Sequence, residues 1–296
     1  MVSPRYPRYT QVTGRLKMTA VEDQLNYVID PIFDSFFFFF ESMTSRSTGL
    51  YSLPVELLHE LELFALSESL PLVSVHFNDV YKNALPFFHA KYILGRVLES
   101  AEPVLSDVYT KALRYPICDL AVLQAIHDLV KDFQWSSSLV QLPRRLFRSL
   151  SPPMSGWTDE THPLPLLRYL YHTPDIPAVN TNANEGYALT RAVHAKFLPL
   201  VQFLLEHDAS PKCHDGLAVK VAIRQKNLDM VKTLIERQGI KPRNGKKRKV
   251  GDRMDLNSDM LKIAVLSNAK DVVKYLYREK NVIPDVQTLK KMGSMS

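Results

Sequence analysis

From residue 164 onward the chain repeats itself, and this limits the possible folds more than any other feature. Leu-Pro-Leu-Leu-Arg-Tyr-Leu-Tyr at 164–171 returns as Leu-Pro-Leu-Val-Gln-Phe-Leu-Leu at 198–205. It returns again as Leu-Asp-Met-Val-Lys-Thr-Leu-Ile at 228–235 and Lys-Asp-Val-Val-Lys-Tyr-Leu-Tyr at 270–277. One register aligns Leu167, Val201, Val231 and Val273, and also Leu170, Leu204, Leu234 and Leu276. The spacings are 34, 30 and 42 residues, a period that belongs to helical solenoids. In the last three units a shorter helix is expected ahead of the amphipathic one, at 187–193, 217–223 and 259–265, each with alanine at its sixth position (Ala192, Ala222, Ala264). A unit this small cannot bury its apolar face alone, so the helices must stack. The expected core is Leu167, Val201, Leu204, Ala222, Val231, Leu234, Ala264, Val273 and Leu276.

Upstream the pattern is helical throughout, so the fold class is all-α. Pro54 opens an apolar run in which Leu57, Leu58, Leu61 and Phe64 recur at helical spacing, since proline is tolerated where a helix starts. A second helix is expected over 72–82 and a third after Pro86, with others over 104–114, 117–133 and 139–150. The first 47 residues, with Pro4, Pro7 and a run of five phenylalanines at 36–40, read as a poorly ordered extension. The expected divisions are 1–47, a small helical module at 48–97, a helical linker at 98–155 and the repeats at 156–296. With 46% apolar and 23% charged residues the chain has an ordinary globular composition. No apolar run approaches the ~18 residues of a membrane span, so no membrane association is expected. Cys118 and Cys213 are the two cysteines, too few for a disulfide framework or a tetrahedral thiolate zinc site.

The repeats resemble ankyrin repeats, over roughly 156–290, with incomplete first and last units. Where the family carries glycine between its two helices this chain has Lys196, Lys226 and Asn268, so side-chain-bearing residues must adopt a conformation glycine prefers. A second resemblance lies in Leu53-Pro54-Val55-Glu56-Leu57-Leu58, Leu61, Leu70-Pro71-Leu72 and Val75-His76-Phe77, which are similar to an F-box. That likeness implies docking onto a Skp-type adaptor protein of a cullin–RING ubiquitin ligase through Leu53, Pro54, Leu57, Leu58 and Leu61. Together the two resemblances imply a protein-interaction adaptor, a substrate-recognition subunit whose repeats hold the target. An ankyrin-repeat scaffold or nuclear regulator without a ubiquitin-ligase role is the other reading.

Catalytic and metal motifs are near misses. Gly239 to Lys247 has five residues between its glycines rather than four and lysine where a phosphate loop needs Ser or Thr. Cys213-His214-Asp215 holds thiol-triad residue types, but consecutive residues cannot take the three roles. The histidines lack HExxH or CxxC companions. No enzyme activity, cofactor or metal site is expected. The remaining signal is charge. Residues 1–185 carry 15 Lys and Arg against 20 Asp and Glu, whereas 186–296 carry 22 against 11. Seven basic residues fall between Lys241 and Arg253, in a basic insertion at 239–258 separating the third and fourth units. Its core, Lys246, Lys247, Arg248 and Lys249, resembles a nuclear-import signal, which implies importin as a partner and a location in the nucleus, the cytoplasm or both. Arg191, His194, Lys220, Arg224 and Lys262 are expected on the concave side of the stack, where like charges call for an acidic protein target. Nucleic acid ranks second, because no aromatics interleave with the cluster to stack on bases.

Overall fold

The structure is a computed structural model that describes residues 50, 53–98, 105–131, 138–151, 156–236 and 252–293. The N-terminal extension and most of the basic insertion, including Lys246 to Lys249, lie outside the described residues. The described chain is mostly helical, and no described helix is long and apolar enough to cross a membrane. It divides into two compact units, the first ending at Ala84 and the second starting at Leu85.

The first unit is a helix, a tight turn and a helix. Pro54 is extended and α1 (Val55–Ala65) begins just after it, stopping where Leu66 turns left-handed with φ 44°. A 3-10 turn at Leu70–Leu72 leads into α2 (Val75–Lys82). Ser74 caps α2 by accepting the Phe77 N–H, as an N-cap hydroxyl does for an otherwise unpaired first-turn amide. The Asn78 side-chain amide donates to the Pro71 carbonyl at 3.2 Å and ties turn to helix. Leu58, Phe77 and Val80 form the core, with Leu53 and Leu70 packed on it.

The second unit begins with α3 (Pro86–Leu98), which packs on α4 (Leu105–Ala112) and α5 (Leu120–Val130). The sequence reading gave α3 to the first module and 98–155 to a linker; the structure packs these helices together within the second unit. The helix expected over 139–150 is reduced to the short α6 (Arg145–Arg148). Before it, β1 (Val140–Gln141) pairs in parallel with β2 (Val179–Asn180). Pro143 accounts for the difference, since it biases the residue before it toward extended backbone.

Next comes α7 (Leu164–His172), without a shorter partner helix before it. Three helix pairs follow: α8 (Ala183–His194) with α9 (Leu198–Glu206), α10 (Cys213–Arg224) with α11 (Leu228–Ile235), and α12 (Ser258–Leu266) with α13 (Lys270–Lys274), which continues as a π-turn through Glu279. First helices pack on first helices, α8 on α10 and α10 on α12. Second helices do likewise, α9 on α11 and α11 on α13, and a last helix, α14 (Val286–Gly293), packs on α12. Every residue of the expected core is buried.

Each pair turns in the same way. Lys196, Lys226 and Asn268 have φ of 56°, 57° and 51°. The amide after each reaches back to the carbonyl of the buried alanine, Phe197 to Ala192 at 2.9 Å, Asn227 to Ala222 at 3.2 Å and Ala269 to Ala264 at 3.0 Å. This is the six-to-one bond that closes a helix C-terminus through a left-handed residue. Two glycines of the repeats serve elsewhere. Gly186 and Gly216 end left-handed turns at the start of α8 and α10. A β-carbon on Gly186 would stand 2.7 Å from Cys213 Cβ, and one on Gly216 would stand 2.6 Å from Met260 Cε. Glycine sits where the next pair presses closest.

Candidate interaction surfaces

The five residues expected to dock an adaptor separate by position on α1. Leu58 faces inward and is fully buried against Phe77 and Val80. Leu53, Leu57 and Leu61 are half-buried and Pro54 is exposed. Leu57, Leu61 and Phe64 recur at i, i+4 and i+7, a single helical stripe beside the buried stripe of Leu58 and Glu62. Phe64 is 73% exposed, and across the turn Leu72, Val73 and Val75 are each at least two-thirds exposed. None of these four is among the docking residues singled out from the sequence. Phe64 was within reach, one turn past Leu61 on its stripe; the turn residues were not, because their exposure depends on how the turn is folded.

Glu62 is the anomaly of this unit. It is 1% exposed, and neither carboxylate oxygen has a hydrogen-bond partner. Burial pushes its carboxyl up from 4.5 to about 7, because a buried charge without a partner is disfavoured.

The basic residues expected to meet a target do not form a uniform free patch. Arg191 donates from Nε to the Phe147 carbonyl at 3.3 Å and from Nη2 to the Arg148 carbonyl at 2.8 Å. It thereby serves the end of α6, where helix carbonyls lack internal partners. Lys220 is half-buried and ion-paired to Asp215 of its own helix. Lys262 is half-buried; its charge helps hold the Asp285 carboxyl below the usual range, after the hydrogen bond from the Thr288 amide. His194 and Arg224 are exposed at equivalent ends of α8 and α10. Two of the five, Arg191 and Lys220, are thus engaged within the chain, by carbonyls and by Asp215.

The residues flanking the insertion are clamped. Lys280 Nζ meets both Asp252 oxygens at 2.8 and 3.0 Å and Glu236 Oε1 at 3.4 Å. Tyr275 donates its hydroxyl to the same Glu236 oxygen at 2.9 Å, and the Arg253 amide bonds the Ile235 carbonyl at 2.7 Å. Glu236 precedes the insertion and Asp252 follows its basic core, so both strands of chain return to one lysine.

His214 and Asp215 lie in the left-handed turn of α10 with Cys213 just before it, and the three point to different partners. Cys213 lies against Gly186, His214 Nδ1 meets Glu185 Oε2 at 2.8 Å, and Asp215 holds Lys220. Burial raises the thiol of Cys213, the opposite of what a nucleophile needs. Among the described residues no group of three or more His, Cys, Asp and Glu side chains could hold a metal ion. Comparison with protein-family models, with curated proteins and with solved structures finds no match for this chain.

Proposed function

We propose that the chain is a protein-interaction adaptor whose first unit docks onto a Skp-type adaptor of a cullin–RING ubiquitin ligase and whose second unit, an ankyrin-like solenoid, holds a target protein. The observation carrying the solenoid half is the turn chemistry: three helix pairs close on a left-handed residue at the same register, and each stacks on the next. Such an array offers a long surface made of equivalent positions, suited to gripping another chain rather than to enclosing a reaction. The docking half is supported by the apolar residues that the first unit leaves exposed, Phe64, Leu72, Val73 and Val75, beside Pro54 and the half-buried Leu57 and Leu61. Apolar side chains grouped on one small unit are what an interface anchor requires. An acidic segment is the target class that His194, Arg224 and the basic insertion favour, and Lys246–Lys249 would bring the protein to importin and the nucleus.

The test is co-elution of the purified chain with a purified Skp-type adaptor on size exclusion. The wild type should co-elute, and Pro54→Ala with Leu57→Ala should elute alone with unchanged helical content. A wild type that never joins the adaptor would leave a scaffold without a ubiquitin-ligase role.

A further inference from the structure

His172 and His207 sit at the C-terminal ends of two second-position helices, His172 as the last residue of α7 and His207 as the residue after α9. They are 35 residues apart in sequence, and no motif links them. In space their rings are edge to face with centroids 5.7 Å apart. His172 Nδ1 lies 2.9 Å from the Arg168 carbonyl and His207 Nδ1 lies 2.8 Å from the Phe203 carbonyl, in both cases four residues back on the same helix. A carbonyl can only accept, so each Nδ1 carries the proton. In the neutral imidazole each Nε2 then carries the lone pair, and the ring is fixed by its backbone bond. This is how ligating histidines are held by their surroundings in metal sites.

The spacing also fits. Two imidazoles sharing one tetrahedral Zn²⁺ at Zn–N of about 2.1 Å have ring centroids about 5–5.5 Å apart, close to the separation of these two rings. Both rings lie at helix C-termini, whose unpaired carbonyls favour a cation. The nearest cation on α7, Arg168, is already paired with Asp159 at 3.0 Å. Tyr171 and Phe203 wall the pair in, with ring centroids 4.3 and 4.2 Å from His207. The Tyr171 hydroxyl is held by Thr181 at 2.7 Å, and Thr181 in turn donates to the His207 carbonyl at 2.6 Å. His207 therefore has little freedom to turn away.

We infer that His172 and His207 form a two-imidazole site for a borderline divalent transition-metal ion such as Zn²⁺, with water completing the coordination and the ion pinning the ends of α7 and α9 together. Imidazole nitrogen suits Zn²⁺, Cu²⁺ and Ni²⁺ over Mg²⁺ or Ca²⁺. The inference does not depend on the adaptor function proposed above.

The test uses the full chain, free of affinity tag and stripped with chelator, titrated with ZnCl2 by calorimetry. The wild type should take up one ion per chain, with a rise in thermal midpoint that EDTA reverses. His172→Gln, at an exposed position, and His207→Gln should each lose that uptake and that rise, while His214→Ala should keep both. Cu²⁺ in the same site should show two nitrogen couplings by electron paramagnetic resonance in the wild type, and this signature should be absent from both His172→Gln and His207→Gln. A wild type that binds no Zn²⁺, or a double variant that binds it as well as the wild type, would overturn the site.

Discussion

Glu62 shows how much one side chain can set. Its carboxyl stands at about 7 in the folded chain and near 4.5 when unfolded. The folded state therefore holds the proton more tightly, and stability falls as pH rises from about 4.5 to about 7, by roughly 3 kcal/mol before levelling off. Glu62→Gln should abolish this slope, gaining stability relative to wild type at pH 8 but not at pH 4. Parallel denaturation midpoints for the two proteins across that range would contradict the assignment. Leu204 and Leu234 test the stack in the same way. Both are fully buried, and truncation to alanine should lower stability by about 2–5 kcal/mol in chemical denaturation. These leucines were legible from sequence because a register repeated four times singles them out. The isolation of Glu62 was not, since a glutamate on an amphipathic helix ordinarily faces water.

The turn is the unit of design at the level of elements. Lys196, Lys226 and Asn268 could be read in advance as left-handed, because a known turn lacked its glycine. The reverse holds at Gly186 and Gly216, whose importance comes from Cys213 and Met260 of the following pair and which no local pattern announces. Opposite substitutions should separate the two roles. Lys226→Gly relieves a left-handed side chain worth about 1–2 kcal/mol, offset in part by the greater freedom of glycine in the unfolded chain, and should raise the thermal midpoint slightly. Gly186→Ala places a β-carbon against Cys213 at positive φ and should lower it. A shift of the midpoint in the same direction by both changes would contradict these two turn roles. The strand pair at 140–141 and 179–180 escaped the sequence reading because two residues carry no period, although Pro143 argued against a helix there.

For the whole molecule, the sequence showed a charge asymmetry and two kinds of helical region, and the structure divides the described chain at Ala84 and Leu85. Pro86 opens a helix whatever unit that helix joins, and it is packing on α4 and α5 that groups it with the second unit. The basic half proved less bare than its charge count implied, since Arg191 and Lys220 are engaged within the chain. The proposed function divides the labour: one unit docks and the other holds. Hydrogen–deuterium exchange of the full chain, with and without a purified Skp-type adaptor, tests this most directly. Adaptor-dependent protection is expected over 54–64 and 72–77, with the helix pairs from 183 to 279 unchanged. Protection confined to those helix pairs, or none anywhere in the chain, would contradict it.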